Sequence, residues 1–160
     1  MKRLVLMRHA KAEHYNVGGD HERSLTGRGQ TDAAAAGLVL ALLGLEKAIV
    51  STSARTRETF AALGIDAEPE YADWLYFGGT DTLRARIAEV PESVSGLIVV
   101  GHAPTIPGLA ADLASEAEHD EADEVGGWFP TSAFAEFTFD GTWADLADGL
   151  VSVTLEHVRR

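Results

Sequence analysis

The 160-residue sequence predicts an α/β protein, a three-layer α/β/α sandwich built on a mostly parallel central sheet with late edge strands. Three observations carry that expectation. Three short, β-branched-rich apolar runs each stop abruptly at a polar loop that leads into a helix-like stretch. The runs are nearly continuous rather than alternating, as suits strands covered by helices on both faces. Alternating segments occur only near the end of the chain, where antiparallel additions to the sheet are expected. The length fits one domain over 1–160.

The first run covers residues 4–7 and ends at Arg8-His9. A helix rich in Ala and Leu is predicted over 26–43, with Asp32 early and Gly44 after its end. The second run covers 48–50, and a helix over 53–63 closes at Gly64. A third helix is expected over 80–89, stopped by Pro91. The third run, 97–100, ends at Gly101-His102, and a fourth helix follows over 106–117. Glu116, Glu118, Asp120, Glu121, Asp123 and Glu124 crowd one stretch with like charge, which predicts a solvated surface loop over 116–124. Residues 133–139 then alternate with period two up to a turn at Asp140-Gly141, and 150–158 alternate again, so strands are expected in both.

Composition excludes several classes. Hydrophobic residues at 46% and charged residues at 24% belong to a globular chain, not a disordered or collagen-like one. With 13 basic and 25 acidic residues the net charge is −12, which repels nucleic-acid phosphates and anionic lipid, so neither nucleic acid nor membrane is expected as a partner. The absence of Cys removes disulfides, thiolate metal sites and a Cys nucleophile, and fits a reducing compartment. The N-terminus is basic and then apolar, as in a signal peptide, but Arg8 and His9 cut the apolar run short; a cytoplasmic location is expected.

In open α/β sheets ligands bind beyond the carboxyl ends of the parallel strands. Here those ends carry Arg8-His9, then Arg55 and Arg57 after Ser51-Thr52-Ser53-Ala54, then Gly101-His102. If the three strands are neighbours, two arginines and two histidines meet on one rim, inverting locally the negative field of the protein. Such a pocket wants an anion. Arginine forks match phosphate oxygens, and amides opening the following helices add donors, so phosphate is the natural guest. Arg55 and Arg57 lie two apart and point in different directions on a helix, so only one should reach it.

These residues also resemble a known family. Leu6-Met7-Arg8-His9-Ala10-Lys11-Ala12 is similar to the opening signature of the histidine phosphatase superfamily, and specifically to its small SixA-type phosphohistidine phosphatases. Arg23-Ser24-Leu25-Thr26-Gly27-Arg28-Gly29, Ser51 through Thr59, and Val99-Val100-Gly101-His102-Ala103-Pro104 resemble the later blocks of that branch in the same order, covering nearly the whole chain. The resemblance implies the histidine phosphatase (phosphoglycerate mutase-like) fold, a phosphatase needing no metal or other cofactor, and a covalent phosphohistidine intermediate. It implies His9 as nucleophile, attacking phosphorus while its other ring nitrogen is held by a hydrogen bond. Arg8 and Arg55 would clamp the non-bridging oxygens, and His102, as a cation, would donate to another. Ala10 stands where many members have Gly. Ala103 stands where many have a side-chain amide, and can offer only its backbone N–H.

The general acid of larger relatives has no recognisable block here. Asp73, before Trp74-Leu75-Tyr76, is the candidate, with Glu13 and Asp20 as alternatives. An imidazole leaving group, with an ordinary pKa of about 6.5, needs less acid help than an alkoxide. Arg23 is expected either at the pocket entrance, meeting substrate, or in a surface ion pair with Glu22 or Asp20. His14 and His21 are expected as rim or exposed groups, His119 and His157 as bystanders, and Trp74, Trp128 and Trp143 mainly in the core. Three functions compete. The first is hydrolysis of phosphohistidine on a protein, to which a site without a long cap between Ala67 and Ala88 would be open. The second is hydrolysis of a small phosphorylated metabolite or another phosphoester. The third is phosphate binding without turnover, which retention of both His9 and His102 disfavours. The partner is then a phosphate-bearing substrate; the oligomeric state is left open, and a monomer is compatible with everything above.

Overall fold

The computed structural model describes residues 1–117 and 120–160. Its sheet has six strands: β1 (Lys2–Arg8), β2 (Lys47–Ser51), β3 (Glu68–Ala72), β4 (Gly96–Gly101), β5 (Phe134–Phe139) and β6 (Val153–Arg159), in the order β3-β2-β4-β1-β5-β6. The first four are parallel, and β5 and β6 join antiparallel beyond β1. The three apolar runs of the sequence therefore lie side by side as β2, β4 and β1. Register pairs Arg8 with Gly101 and Val50 with Val100, so the three carboxyl ends finish at one level.

Both faces of the sheet are covered, because the runs alternate Leu or Val toward opposite layers. Leu4, Leu6, Leu97 and Val99 face a core closed by α3 (Asp73–Phe77), α4 (Thr80–Ile87), α5 (Thr105–Glu116) and α7 (Trp143–Ala147). Val5, Met7, Ile98 and Val100 face a second core under α1 (Gly27–Leu40) and α2 (Ala54–Leu63). Burial of such side chains is worth about 1.5–3 kcal/mol each, the main term holding the layers together.

The helix starts and stops follow local chemistry. Thr26 caps α1 by accepting from the Gly29 amide at 3.0 Å. Ser53 caps α2 and Gly64, at φ 63°, ends it in the left-handed conformation. Gly37 lets α1 lie on α2: a Cβ there would sit 1.9 Å from the Leu63 carbonyl oxygen. Gly29 does the same for the loop after β1, where a Cβ would meet the Lys11 carbonyl at 2.1 Å. These two contacts draw the helix bearing Arg55 and the loop bearing His9 onto the same frame.

Several elements depart from expectation, the short helix α3 among them. β3 is an edge strand whose first four residues are exposed, held by its ladder to β2 with only Ala72 buried. The acidic stretch is not all loop: α6 (Ala122–Gly127) forms within it because Val125 is buried in the core, while Glu118 and His119 lie outside the described residues. α7 is a short helix closed by a capping box between Thr142 and Asp145. Of the late strands, β6 forms the edge, and β5 between β1 and β6 is buried along its whole length. Arg3 donates to Glu136 at 2.8 Å, which permits that carboxylate to lie inside. Trp143 is fully buried, Trp74 packs against the core, and Trp128 is instead exposed beneath Arg160.

Candidate active site

The carboxyl ends of β1, β2 and β4 bring together what the sequence separates by more than ninety residues. The rings of His9 and His102 stand 5.4 Å apart, centre to centre, tilted by 58°. His9 is 9% exposed and Arg55, from the first turn of α2, 6%. Its neighbour Arg57 turns outward and stacks over Tyr71 at 4.7 Å, so one arginine of the pair reaches the pocket.

His9 is oriented by its own loop. Its Nδ1 lies 2.7 Å from the Ala10 carbonyl oxygen. A carbonyl only accepts, so Nδ1 carries the proton and Nε2 keeps its lone pair. The loop is in turn pinned. Ala10 N–H donates to Thr59 Oγ1 at 2.9 Å, and that hydroxyl donates to the Arg55 carbonyl at 2.6 Å. One buried threonine therefore ties the histidine loop to the helix of Arg55. From the other side, the Ser132 amide donates to the His9 carbonyl and Arg8 Nη1 to the Phe129 carbonyl at 3.1 Å.

Electrostatics keep both histidines neutral. Burial pushes His9 down to about 4 against the opposing effect of the Ala10 carbonyl, with Arg55 and then Arg8 adding smaller downward effects. Burial first, then Arg55 and His9, lowers His102 to about 3. Against the protein's own groups His102 is thus not the cation the resemblance implied. Its Nε2 shares a 2.8 Å hydrogen bond with the hydroxyl of buried Ser51. Buried Arg8 Nε, Arg55 Nε and His102 Nδ1 have no hydrogen-bond partner. Three polar atoms left unsatisfied at one place is costly, and such sites call for an explanation.

The carboxylate beside the pocket is Asp20, one of the two alternatives weighed for the acid. Arg55 donates to its carbonyl at 2.9 Å and to Oδ2 at 3.1 Å; Tyr76 donates to the same Oδ2 at 2.6 Å, and Arg23 Nε to Oδ1 at 3.0 Å. The Tyr76 hydroxyl first, then Arg55, hold Asp20 down at about 2. It is a carboxylate at neutral pH and not a proton donor. Asp73 is exposed and accepts from Thr52 at 2.6 Å, while Glu13 binds Asn16 and the Ser24 amide. Arg23 makes the predicted ion pair with Asp20 and also lines the groove that contains His9. Ala103 follows His102 at an exposed position. His21 packs edge-on against Tyr76, and His157 against Phe134. Ser51, Thr59 and Tyr76 were not singled out from the sequence. The first two stand inside a quoted motif block, but nothing in their spacing reveals a role.

A sheet of this topology with two arginines and a pair of histidines at its carboxyl rim is the framework of an α/β protein with a cationic rim pocket. Residues 4–75 match the family model of the histidine phosphatase superfamily (branch 1). The uncharacterized protein Rv1276c of Mycobacterium tuberculosis is 39% identical over 158 residues, spanning 96% of this chain and 100% of that one. A Mycobacterium leprae relative is 35% identical over 162 residues, with the same coverage. Among solved structures, the putative phosphohistidine phosphatases SixA of Nakamurella multipartitia and Agrobacterium tumefaciens superpose with TM-scores of 0.88 and 0.82. They are 41% and 26% identical; the match covers 99% of this chain in both cases, and 95% and 97% of theirs. The chain belongs to the histidine phosphatase superfamily, in its SixA-type group, and is a phosphatase. Among the described residues no helix is long and apolar enough to cross a membrane.

Proposed function

We propose that the protein hydrolyses phosphohistidine on a protein substrate, in two steps through a phosphorylated His9. The observation that carries this reading is the pairing of a neutral His9, its Nδ1–H held by the Ala10 carbonyl, with Arg8 and Arg55 at the same strand ends. In the first step the Nε2 lone pair of His9 forms a bond to phosphorus as the P–N bond of the substrate breaks. The departing imidazole keeps the electron pair and, protonated at its other nitrogen, leaves as neutral imidazole without a donor from the enzyme. His9 then carries phosphorus on Nε2 and its proton on Nδ1. The Ala10 carbonyl keeps that proton in place, so the ring remains a good leaving group. In the second step water attacks phosphorus, the Nε2–P bond breaks, and His9 recovers its lone pair; the proton from water goes to the released phosphate.

Arg8 and Arg55 stabilise the equatorial oxygens in both steps, supported by the burial of Arg55 and by the Nε atoms of both, which have no hydrogen-bond partner. A phosphoryl dianion beside His102 favours its protonated form, so that a ring neutral without substrate donates to substrate oxygen; Ala103 offers its amide at the same strand end. Asp20 occupies Arg55 and yields it when phosphate competes, so we assign it to gating the clamp. Asp73 is not needed as a donor to an imidazole leaving group. The SixA names of the similar structures favour the phosphohistidine reading over a small phosphoester. The test is turnover of a phosphohistidine-bearing protein, an aryl phosphate and a panel of sugar phosphates by the purified protein. Preference for the phosphohistidine protein is expected; preference for any small ester would overturn the assignment.

A further inference from the structure

Beside the nucleophile lies an open groove of about 610 Å³ that His9 and Arg8 share in lining and that extends past them over residues to which the two-step reaction assigns no role. Its walls come from the loop after β1, from α1, from the segment before β5 and from the end of β6. Six of the 13 Lys and Arg residues line it (Arg8, Lys11, Arg23, Arg28, Arg159 and Arg160), with a single carboxylate, Asp32. In a chain of net charge −12 this concentration is a local reversal of the protein's field. These cations are held to different degrees. Arg28 meets Asp32 at 3.5 Å and is three-quarters exposed, while Arg160 stacks over Trp128, donates to its carbonyl at 3.2 Å and reaches Glu124 at 4.0 Å. Lys11 and Arg159 pair with no carboxylate among the described residues.

The groove wall next to the nucleophile provides a second, independent sign. Ser132 holds φ 69°, a conformation costly for a residue with a Cβ, while its amide binds the His9 carbonyl. The residue belongs to the groove lining, and its hydroxyl is buried without a hydrogen-bond partner. A wall with an unsatisfied hydroxyl just beneath it, beside two cations that have no carboxylate partner among the described residues, suits an anion subsite.

We propose that this groove receives a second anionic group of the substrate, carboxylate or phosphate, on the same molecule as the phosphoryl group transferred to His9. The inference rests on His9 being the phosphoryl acceptor. In phosphohistidine proteins the second anion is a carboxylate flanking the modified residue; in a small substrate it is a further phosphate.

Two measurements test it on the wild type and on the double variant Lys11→Gln/Arg159→Gln. Calorimetric titration compares inorganic tripolyphosphate with orthophosphate. Turnover compares phosphohistidine peptides flanked by Glu with peptides flanked by Gln. A wild-type advantage of at least tenfold for the more anionic probe is expected in one or both comparisons, falling at least fivefold in the double variant. An advantage in the peptides assigns carboxylates; an advantage in the titration alone assigns a second phosphate. Because each is a ratio within one protein, a general loss of activity cancels. Ratios near one in the wild type, or unchanged in the variant, overturn the proposal. If no phosphohistidine peptide is turned over while the tripolyphosphate advantage holds, the phosphohistidine reading fails and the groove stands; peptide turnover without either advantage gives the reverse.

Discussion

Thr59 offers a sharp perturbation, because a single hydroxyl joins the two halves of the pocket. It accepts from the Ala10 amide at 2.9 Å and donates to the Arg55 carbonyl at 2.6 Å, and the residue is fully buried. Thr59→Val keeps the shape and removes the oxygen, leaving the Ala10 N–H without a partner in a site closed to water. That costs about 1–3 kcal/mol. For a chain of this size each kcal/mol lowers Tm by about 2–4 °C, so a fall of roughly 2–12 °C is expected by circular dichroism. Ala10 also presents the carbonyl that orients His9, so a shift of the loop misaligns Nε2, and kcat should fall roughly 10- to 100-fold. Thr59→Ser retains the oxygen and loses one methyl group, at a cost near 1 kcal/mol, and should recover most of kcat. A valine variant with wild-type kcat would refute the view that this bridge positions the nucleophile.

Further outcomes follow from the same geometry. His9 at about 4 and His102 at about 3 lie below their ordinary 6.5, so between these values the unfolded chain binds protons that the folded one does not. Stability should therefore be unaffected by these groups above pH 6.5 and fall as pH drops toward 4, by roughly 3 kcal/mol from His9 alone. Urea unfolding at pH 7 and 4.5 measures this, and His9→Gln/His102→Gln should flatten the dependence. Asp20→Ala frees Arg55 and Arg23 from a half-exposed carboxylate; calorimetry should find orthophosphate bound about two- to fivefold tighter, and weaker binding would contradict its gating role. Arg55→Ala should lower kcat about 10²- to 10³-fold in steady-state assays, whereas Arg57→Ala, stacked on Tyr71, should not.

Much of this architecture is written in hydrophobic pattern. β1, β2 and β4 are legible because strands covered on both faces need unbroken apolar runs, and α2 is legible from Ser53 to Gly64 because both caps have characteristic residues. β3 is not legible: Glu68, Pro69, Glu70 and Tyr71 are exposed, and the strand exists through its pairing with β2, a tertiary cause without periodicity. α7 carried a readable Thr-x-x-Asp box but only five residues, too few for a helical period. In the pocket, Arg8, His9, Arg55 and His102 could be found because each follows a strand or opens a helix at the rim where ligands bind. Asp20 and Tyr76 meet Arg55 from a 3-10 turn and a short helix, and their convergence depends on loop paths that spacing does not encode. The depression of His102 likewise arises from burial, which residue order alone does not express.

The central claim is that His9 takes up the phosphoryl group, and rapid acid-free quenching during turnover of a radiolabelled phosphohistidine protein tests it most directly. An acid-labile phosphoenzyme should appear, map to the peptide containing His9, and vanish in a folded His9→Ala variant. A phosphoenzyme of equal yield in that variant, or label on any other residue, would contradict the account.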